Sequence, residues 1–367
     1  MAATVGRAQL WGCLHGRVCL HWSMTTTVPA ARPANNGVPY RTTPAQNLIT
    51  IGLAWWLIMG LFVDGWAHNH LGDRLETFFT PWHALFYSGF LAVAAWVGWL
   101  GQRGWRAGRR GLLALPQGYE LAALGVPVFA LGGLGDMAWH TVFGIEVGVE
   151  ALLSPTHLVL FLGAACIVSA PLVSAWRTPT ARKAPPGVVW TGVLATLALL
   201  SLVSFMNMYL WGLLSVSFGA GQGRGALGSV LLTALIMTAP VLLLLRRFQL
   251  PFGSVTVIYG LNTLMMSLMM MPGEWRVPLL LLLAGLVADG FLVALRPSPA
   301  RPWALRGFAF LLPMLVWAPY LGGAAVLGLS ELSLELWLGI SVMAGLGGVA
   351  LSALVVPPTL PAEAQSA

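Results

Sequence analysis

The sequence predicts an all-α, polytopic integral membrane helix bundle with about ten transmembrane helices, and three observations lead to this fold class. First, 57% of the 367 residues are apolar and only 8% are charged, whereas about 25% of residues are charged in soluble domains. Second, the apolar runs reach the roughly 20 residues that a helix needs to cross the hydrocarbon core. Third, the chain lacks the segments of about ten alternating residues that are typical of membrane barrels.

Ten apolar segments have the length of a membrane span. Only helices are expected in them, because lipid offers the backbone no other hydrogen-bonding partner. The predicted spans are 47–67, 83–101, 119–141, 155–176, 188–210, 226–245, 251–271, 277–295, 305–328 and 334–356.

Basic residues are unevenly distributed between the two sets of loops that ten spans create. Cytoplasmic loops of membrane proteins carry an excess of Lys and Arg. One set of loops holds Arg32, Arg41, Arg103, Arg106, Arg109, Arg110, Arg177, Arg182, Lys183, Arg246, Arg247, Arg296, Arg301 and Arg306. The other set holds only Arg74, Arg224 and Arg276. We therefore expect both termini in the cytoplasm and the chain in a bacterial inner membrane. The net charge of +7 reflects this topology and does not indicate a nucleic-acid partner.

Four regions follow from the span pattern. They are a disordered cytoplasmic N-terminal segment, a pair of duplicated metal-binding hairpins, a six-span membrane region and a disordered tail, at 1–46, 47–176, 177–356 and 357–367. The first region is polar and rich in proline. Its first 23 residues look unlike the rest, so the true start is either Met1 or Met24.

One motif occurs twice in the first four spans. It reads Asp, three residues, His, a connector that ends in Glu, three residues, Ser or Thr, Pro, one residue and His. The first copy consists of Asp64, His68, Glu76, Thr80, Pro81 and His83. The second copy consists of Asp136, His140, Glu150, Ser154, Pro155 and His157. Because the spacing from Glu to the last His is the same in both, we expect a tandem duplication of a helix–loop–helix hairpin.

Each part of the motif has a physical reason. Asp and His four residues apart lie on one face of a helix. Ser or Thr followed by Pro is typical of a helix start, with the hydroxyl as the N-cap. The last His then falls in the first turn, where the helix dipole favours the neutral imidazole that binds metal ions. The motif therefore predicts Asp and His side chains gathered at one membrane depth.

The histidines are concentrated in this motif. After Met24 the chain has five, His68, His70, His83, His140 and His157, and all of them lie in the two copies. Ionisable groups within a membrane are costly and usually have a function. We therefore expect a metal site near the non-cytoplasmic face.

The second copy resembles the copper-binding region of the C subunit of particulate methane and ammonia monooxygenases. The shared elements are Asp-Met-Ala-Trp-His at 136–140 and Ser-Pro-Thr-His at 154–157, which correspond to Asp-x-Ala-Trp-His and Thr-Pro-Ser-His on adjacent membrane helices of that family. The resemblance implies Asp136, His140 and His157 as copper ligands. The resemblance covers residues 130–165, and residues 60–90 show a weaker similarity. That family has one such unit with a shorter connector, and its members work with partner subunits.

The predicted ligand set is compatible with several metals and reactions. A bare Asp-His-His set favours copper by the resemblance, whereas adding Glu76 and Glu150 (or Glu146) gives a carboxylate-rich set that favours iron; imidazole also suits zinc. An apolar surround would suit a lipophilic substrate, so oxygen-dependent hydroxylation is the leading hypothesis. A copper transport or homeostasis protein and a zinc-dependent membrane lipid hydrolase are the alternatives. Partner subunits or a homo-oligomer are also expected from the resemblance.

Two further features lie in the last six spans. Met265, Met266, Met269, Met270 and Met271 are soft-ligand candidates for copper, although packing is the more usual role of such residues. Asp289 is the only acidic residue away from the ends of a late span, and we expect it either to pair with Asn262 or Asn207 as packing, the favoured role, or to serve a relay. No phosphate-binding loop, dinucleotide fingerprint or Cys-x-x-Cys pair is present in the sequence.

Overall fold

A computed structural model of the chain describes residues 39–71, 78–144, 148–179, 184–214 and 223–357. These residues form a helix bundle without a β-sheet. The helices are α1 Pro44–Leu71, α2 Pro81–Arg106, α3 Glu120–Phe143, α4 Val149–Leu153, α5 Pro155–Arg177, α6 Pro186–Met206, α7 Gly223–Arg247, α8 Ser254–Met270, α9 Arg276–Leu295, α10 Pro302–Val326 and α11 Leu334–Val355.

The helix pattern confirms the predicted fold class. Within the described ranges, nine helices are long and apolar enough to cross a membrane. The predicted span at 251–271 corresponds to α8, which is apolar but has only 17 residues, the short end of the spanning range. The five-residue helix α4 was not predicted. Which face is cytoplasmic stays a prediction.

The first four long helices form two hairpins. Helix α1 packs against α2, and α3 packs against α5. Both contacts are backbone-close: a Cβ added to Gly60 would lie 2.6 Å from the Phe86 Cα, and one added to Gly163 would lie 2.6 Å from the Phe129 nitrogen. Small residues allow this approach, which provides the van der Waals contact that stabilises helix pairs in lipid.

A buried hydrogen-bond network joins the hairpins at the end where α1 begins. The Tyr119 hydroxyl donates to Asn47 Oδ1 at 2.9 Å and lies 2.7 Å from the Thr50 hydroxyl. The Trp96 indole donates to Thr50 Oγ1 at 2.9 Å, and the Asn47 amide donates to Ser174 Oγ at 3.4 Å. This network connects α1, α2 and α5 with the residue before α3.

The expected pairing of Asp289 is wrong, because its carboxylate caps a helix. Asp289 accepts hydrogen bonds from the backbone nitrogens of Val255 and Thr256, at 3.0 Å each, and from the Thr256 hydroxyl at 2.6 Å. It therefore satisfies orphan amides at the start of α8, where the helix dipole favours an anion. Asn262 instead donates to Ser204 Oγ on α6.

Candidate metal centre

The predicted helix starts place the last histidine of each motif copy. Helix α2 has Thr80 as its N-cap, and the Thr80 hydroxyl accepts a hydrogen bond from the His83 backbone at 3.1 Å. Helix α5 has Ser154 as its N-cap, whose hydroxyl accepts from the His157 backbone at 3.3 Å. Proline occupies the start of both helices, which confirms the predicted caps. Each cap fixes a histidine in the first helical turn, where it faces the end of the preceding long helix.

The first copy of the motif forms a triad of Asp64, His68 and His83. The Nε2 atoms of His68 and His83 lie 3.8 and 3.6 Å from Asp64 Oδ2. Asp64 and His68 come from the last turns of α1, and His83 comes from the first turn of α2. The ligand atoms of the three side chains lie within 4.8 Å of one another, so they could hold a metal ion.

The second copy forms a tighter triad of Asp136, His140 and His157. The Nε2 atoms of His140 and His157 lie 3.4 and 3.0 Å from Asp136 Oδ1. The side chains of Asp136 and His140 are 2% and 1% exposed. A carboxylate so far from water needs a cationic or hydrogen-bonding partner.

The two triads meet at His83. Its ligand atom lies within 4.8 Å of those of Asp136 and His140, as well as those of Asp64 and His68. The rings of His83 and His140 have centroids 6.0 Å apart. The six side chains therefore form one continuous cluster, which we call the Asp/His centre: Asp64, His68, His83, Asp136, His140 and His157.

Backbone carbonyls orient the imidazole rings of the Asp/His centre. The Nδ1 atom of His83 lies 2.6 Å from the Phe78 carbonyl oxygen, and that of His140 lies 3.1 Å from the Gly144 oxygen. The Nδ1 atom of His157 contacts the Ala151 carbonyl oxygen. A carbonyl can only accept, so these contacts assign the proton to Nδ1. In a neutral imidazole the lone pair is then on Nε2, which faces the carboxylates, as in metal-binding histidines.

A tyrosine on α2 connects the hairpins at the second triad. The Tyr87 hydroxyl donates to Asp136 Oδ2 at 2.9 Å, which leaves Oδ1 directed at His140 and His157. Its ring fits against Gly133 on α3, where an added Cβ would lie 2.8 Å from the Tyr87 Cε1 atom. Neither Tyr87 nor Gly133 was predicted from the sequence, although a tyrosine one turn after His83 was a usable signal.

Two polar atoms of the first triad are buried without a hydrogen-bond partner among the described residues: Asp64 Oδ1 and His68 Nδ1. An unsatisfied buried group costs about 1–3 kcal/mol. Native proteins rarely keep such groups without a water, an ion or a functional reason. A cation bound by Asp64 would remove the cost for its carboxylate, so the residues present fit a metal ion.

A cavity of about 80 Å³ lies against the Asp/His centre. It is large enough for several water-sized groups. Asp64, His68, His83, Asp136 and His157 line one side of it. The remaining wall is mainly apolar and comes from α1, α2, α3, α5 and α6, with Leu61, Phe86, Phe129, Leu160, Phe161, Ala164, Leu202 and Phe205. The ligand atoms therefore face a small, mainly apolar cavity.

The two glutamates of the motif do not join the described cluster. Glu76 lies outside the described residues. Glu150 is on α4, is exposed and belongs to neither triad. Its charge instead acts on Tyr209, whose pKa is raised above the usual tyrosine value mainly by burial and further by Glu150. His70, the fifth histidine of the two copies, is exposed, stacks on Trp66 and lies outside both triads.

Comparison with known proteins assigns no family: no family model, curated protein or solved structure matches the chain. The case for a metal site therefore depends on the geometry of the Asp/His centre.

Proposed function

We propose that the protein is a membrane metalloenzyme that binds copper at the Asp/His centre and uses it to hydroxylate a lipophilic substrate with dioxygen. The observation that carries the proposal is a cluster of six Asp and His side chains, five of which line one mainly apolar cavity inside a membrane-spanning bundle. Ionisable groups are costly in a bilayer and usually have a function there.

The Asp/His centre contains two adjacent ligand sets that meet at His83. Asp64, His68 and His83 would hold one ion, and Asp136 with His140 and His157 would hold a second. Three protein ligands leave a coordination position open, as catalytic sites require. A redox metal bound there would supply the activation of dioxygen, and each hydroxylation would consume one O₂, two protons and two electrons from an external reductant, with the alcohol and water as products.

The chain itself would bind and orient the substrate. The apolar wall of the cavity favours a hydrocarbon and disfavours water, because burying apolar surface contributes about 25 cal/mol per Å². The backbone carbonyls of Phe78, Gly144 and Ala151 keep the imidazole Nε2 atoms directed inward. Tyr87 holds Asp136 in place. These features favour a fixed, dry site, in which electrostatic interactions are strong.

The choice of copper is supported by the resemblance of Asp-Met-Ala-Trp-His and Ser-Pro-Thr-His to the C subunit of the methane and ammonia monooxygenases. Imidazole and carboxylate ligands would also accept iron or zinc. Glu150 lies outside both triads, so the described ligand set is less rich in carboxylates than an iron site of the predicted kind. This favours copper over iron.

The first test is elemental analysis of the detergent-purified protein. We expect one or two copper ions per chain in the wild type, at least one ion fewer in the His140→Ala/His157→Ala variant and full metal content in His70→Ala. His70 is the matched control, because it is a neighbouring histidine outside both triads. Absence of metal from the wild type, even after reconstitution with copper, iron or zinc, would contradict the proposal.

The second test is substrate-dependent oxygen uptake by the metal-loaded protein in nanodiscs. Linear alkanes and long-chain alcohols are the probes, with a chemical reductant present. Uptake that requires both the probe and intact His140 and His157 would support hydroxylation. Zinc as the native metal, with release of fatty acid from phospholipid, would favour a lipid hydrolase instead. Movement of metal across sealed vesicles without oxygen uptake would favour transport.

A further inference from the structure

Two methionine sulfurs lie near the C-terminal end of α1, beside the Asp/His centre. The Asn69 side-chain nitrogen lies 3.4 Å from Met270 Sδ and 4.0 Å from Met208 Sδ. Met208 follows α6 and Met270 ends α8, so two separate elements bring their sulfurs to one amide. We call these two residues the thioether pair.

A third sulfur, that of Met269, faces α1 at Gly65, one turn before Asn69. A Cβ added to Gly65 would be 3.1 Å from Met269 Sδ and 2.5 Å from the Phe205 ring. Gly65 thus allows α6 and α8 to approach α1 at the level of Asp64 and His68. Gly65, Asn69 and Met208 also line the cavity of the Asp/His centre. Met208 therefore adjoins the cavity of the proposed metal site, and Met270 meets it at Asn69.

The contacts of Asn69 are unusual for packing methionines. An amide N–H is a strong donor, whereas a thioether sulfur is a weak acceptor. Asn69 is exposed, yet its nitrogen faces two sulfurs, and its Oδ1 accepts from the Tyr209 hydroxyl at 3.3 Å. The two sulfur atoms consequently face one point at the edge of the cavity, which the Asn69 amide occupies. Methionine side chains are flexible enough to close on an ion at that point.

We propose that Met208 and Met270 form a binding site for Cu(I) at the edge of the cavity, distinct from the Asp/His centre. Thioethers are soft ligands that select Cu(I), whereas imidazole and carboxylate also accept divalent ions. Two ligand sets of different softness therefore lie side by side, and Met269 is available as a third sulfur. Binding of Cu(I) here does not require the proposed function, but the role of the site as the entry point for copper rests on it.

The test is an anaerobic titration of the full chain in detergent with Cu(I), in competition with a chromophoric chelator. We expect Met208→Leu/Met270→Leu to bind Cu(I) at least about tenfold more weakly than the wild type, which corresponds to about 1.4 kcal/mol. X-ray absorption of the wild type should show sulfur around copper, and the double variant should lose it. Leucine nearly conserves the volume of methionine, so folding should be retained.

Met343→Leu is the matched control, because Met343 is exposed on α11, and its Cu(I) affinity should equal that of the wild type. The single variant Met270→Leu repeats the test if the double variant fails to fold. Unchanged Cu(I) affinity and unchanged sulfur scattering in these variants would overturn the proposal. Zn(II) binding separates the two sites: it should survive the methionine changes, and at least one Zn(II) ion per chain should be lost in His140→Ala/His157→Ala. If the wild type binds neither Cu(II) nor Zn(II) while its Cu(I) binding depends on Met270, the function proposed above fails and the thioether site stands.

Discussion

The two triads use the same residue types but differ in how their aspartates are held. Asp136 has a side chain only 2% exposed and accepts a hydrogen bond from Tyr87. Asp64 is 13% exposed, and its Oδ1 has no hydrogen-bond partner in the described part of the chain. Asp136 Oδ1 also lacks a hydrogen-bond partner among the described residues, so the difference lies in the deeper burial of Asp136 and in its bond from Tyr87, which preorganise the second triad. We expect the second triad to bind its ion more tightly.

The difference between the two aspartates comes from two positions at which the hairpins carry different residues. Counting from the motif aspartates and histidines, Tyr87 corresponds to Phe161, and Gly133 corresponds to Leu61. In the second triad a glycine makes room for a tyrosine that reaches the aspartate. In the first, leucine and phenylalanine occupy these positions and line the cavity instead. At corresponding positions, Tyr87 thus donates a hydrogen bond to the second triad, whereas Leu61 and Phe161 form apolar wall beside the first.

The largest difference in stability and metal content is expected between the Asp136→Ala and Asp64→Ala variants. Removing Asp136 leaves the buried His140, the Tyr87 hydroxyl and His157 without their carboxylate, and breaking a buried pair of this kind costs about 3–5 kcal/mol. Asp64→Ala should cost clearly less, because Asp64 is more exposed and less bonded. Thermal unfolding in detergent and metal content measure both effects. Equal losses in the two variants would contradict the ranking of the triads.

The next effect is that of Tyr87→Phe. Loss of a hydrogen bond to a metal ligand typically lowers metal affinity about 10–100-fold, so we expect one of the two ions to bind more weakly and the other to be unchanged. Tyr119→Phe is the matched control, since it removes a hydroxyl from the network at the opposite end of the hairpins. If both variants weakened metal binding alike, the loss would reflect general loosening of the bundle.

The effect of Gly133→Ala on metal affinity should arise through Tyr87 and be smaller than that of Tyr87→Phe. The new methyl group would displace the Tyr87 ring, and such rotamer strain costs about 0.5–1.5 kcal/mol. Metal affinity should therefore fall by about tenfold at most. Gly98→Ala on α2 is the control, because an added Cβ there meets nothing within 4 Å. Isothermal titration with copper compares the two, and the same result for both would remove the proposed role of Gly133.

The smallest effects should come from the helix caps. Thr80→Ala and Ser154→Ala each remove an N-cap, at a cost of about 1 kcal/mol. Ser154 Oγ also lies 2.8 Å from His157 Nδ1, whereas the Thr80 hydroxyl accepts from the His83 backbone. We expect similar losses of stability but a greater loss of metal affinity in Ser154→Ala. A greater loss in Thr80→Ala would contradict this ordering.

Much of the fold was accessible from the sequence because lipid imposes a simple rule on composition and length. The predicted span 334–356, for example, is the helix Leu334–Val355. The caps at Thr80 and Ser154 were equally readable, since their function depends on local spacing. The repeat stays a prediction, but matched contacts support it: Gly60 approaches Phe86 as Gly132 approaches Leu160, at positions that correspond in the two copies.

What the sequence did not reveal depends on contacts between the hairpins. The role of His83 in both ligand groups requires α2 and α3 to meet at the level of the motif, which spacing within one hairpin cannot indicate. Tyr87 likewise binds an aspartate 49 residues away. The Asp289 pairing failed for the same reason, because the start of α8 offered a stronger partner than any amide side chain.

The spacing of Asp64 and His68, and of Asp136 and His140, also bears on how the chain enters the bilayer. Each pair lies on one helix, so the opposite charges or a single shared proton can cancel before any other helix arrives. An aspartate alone costs about 2.5–3.5 kcal/mol at the centre of an inserting helix. Pairing at four-residue spacing lowers that cost during insertion. The same spacing that gathers these side chains at one depth would therefore also ease insertion of α1 and α3.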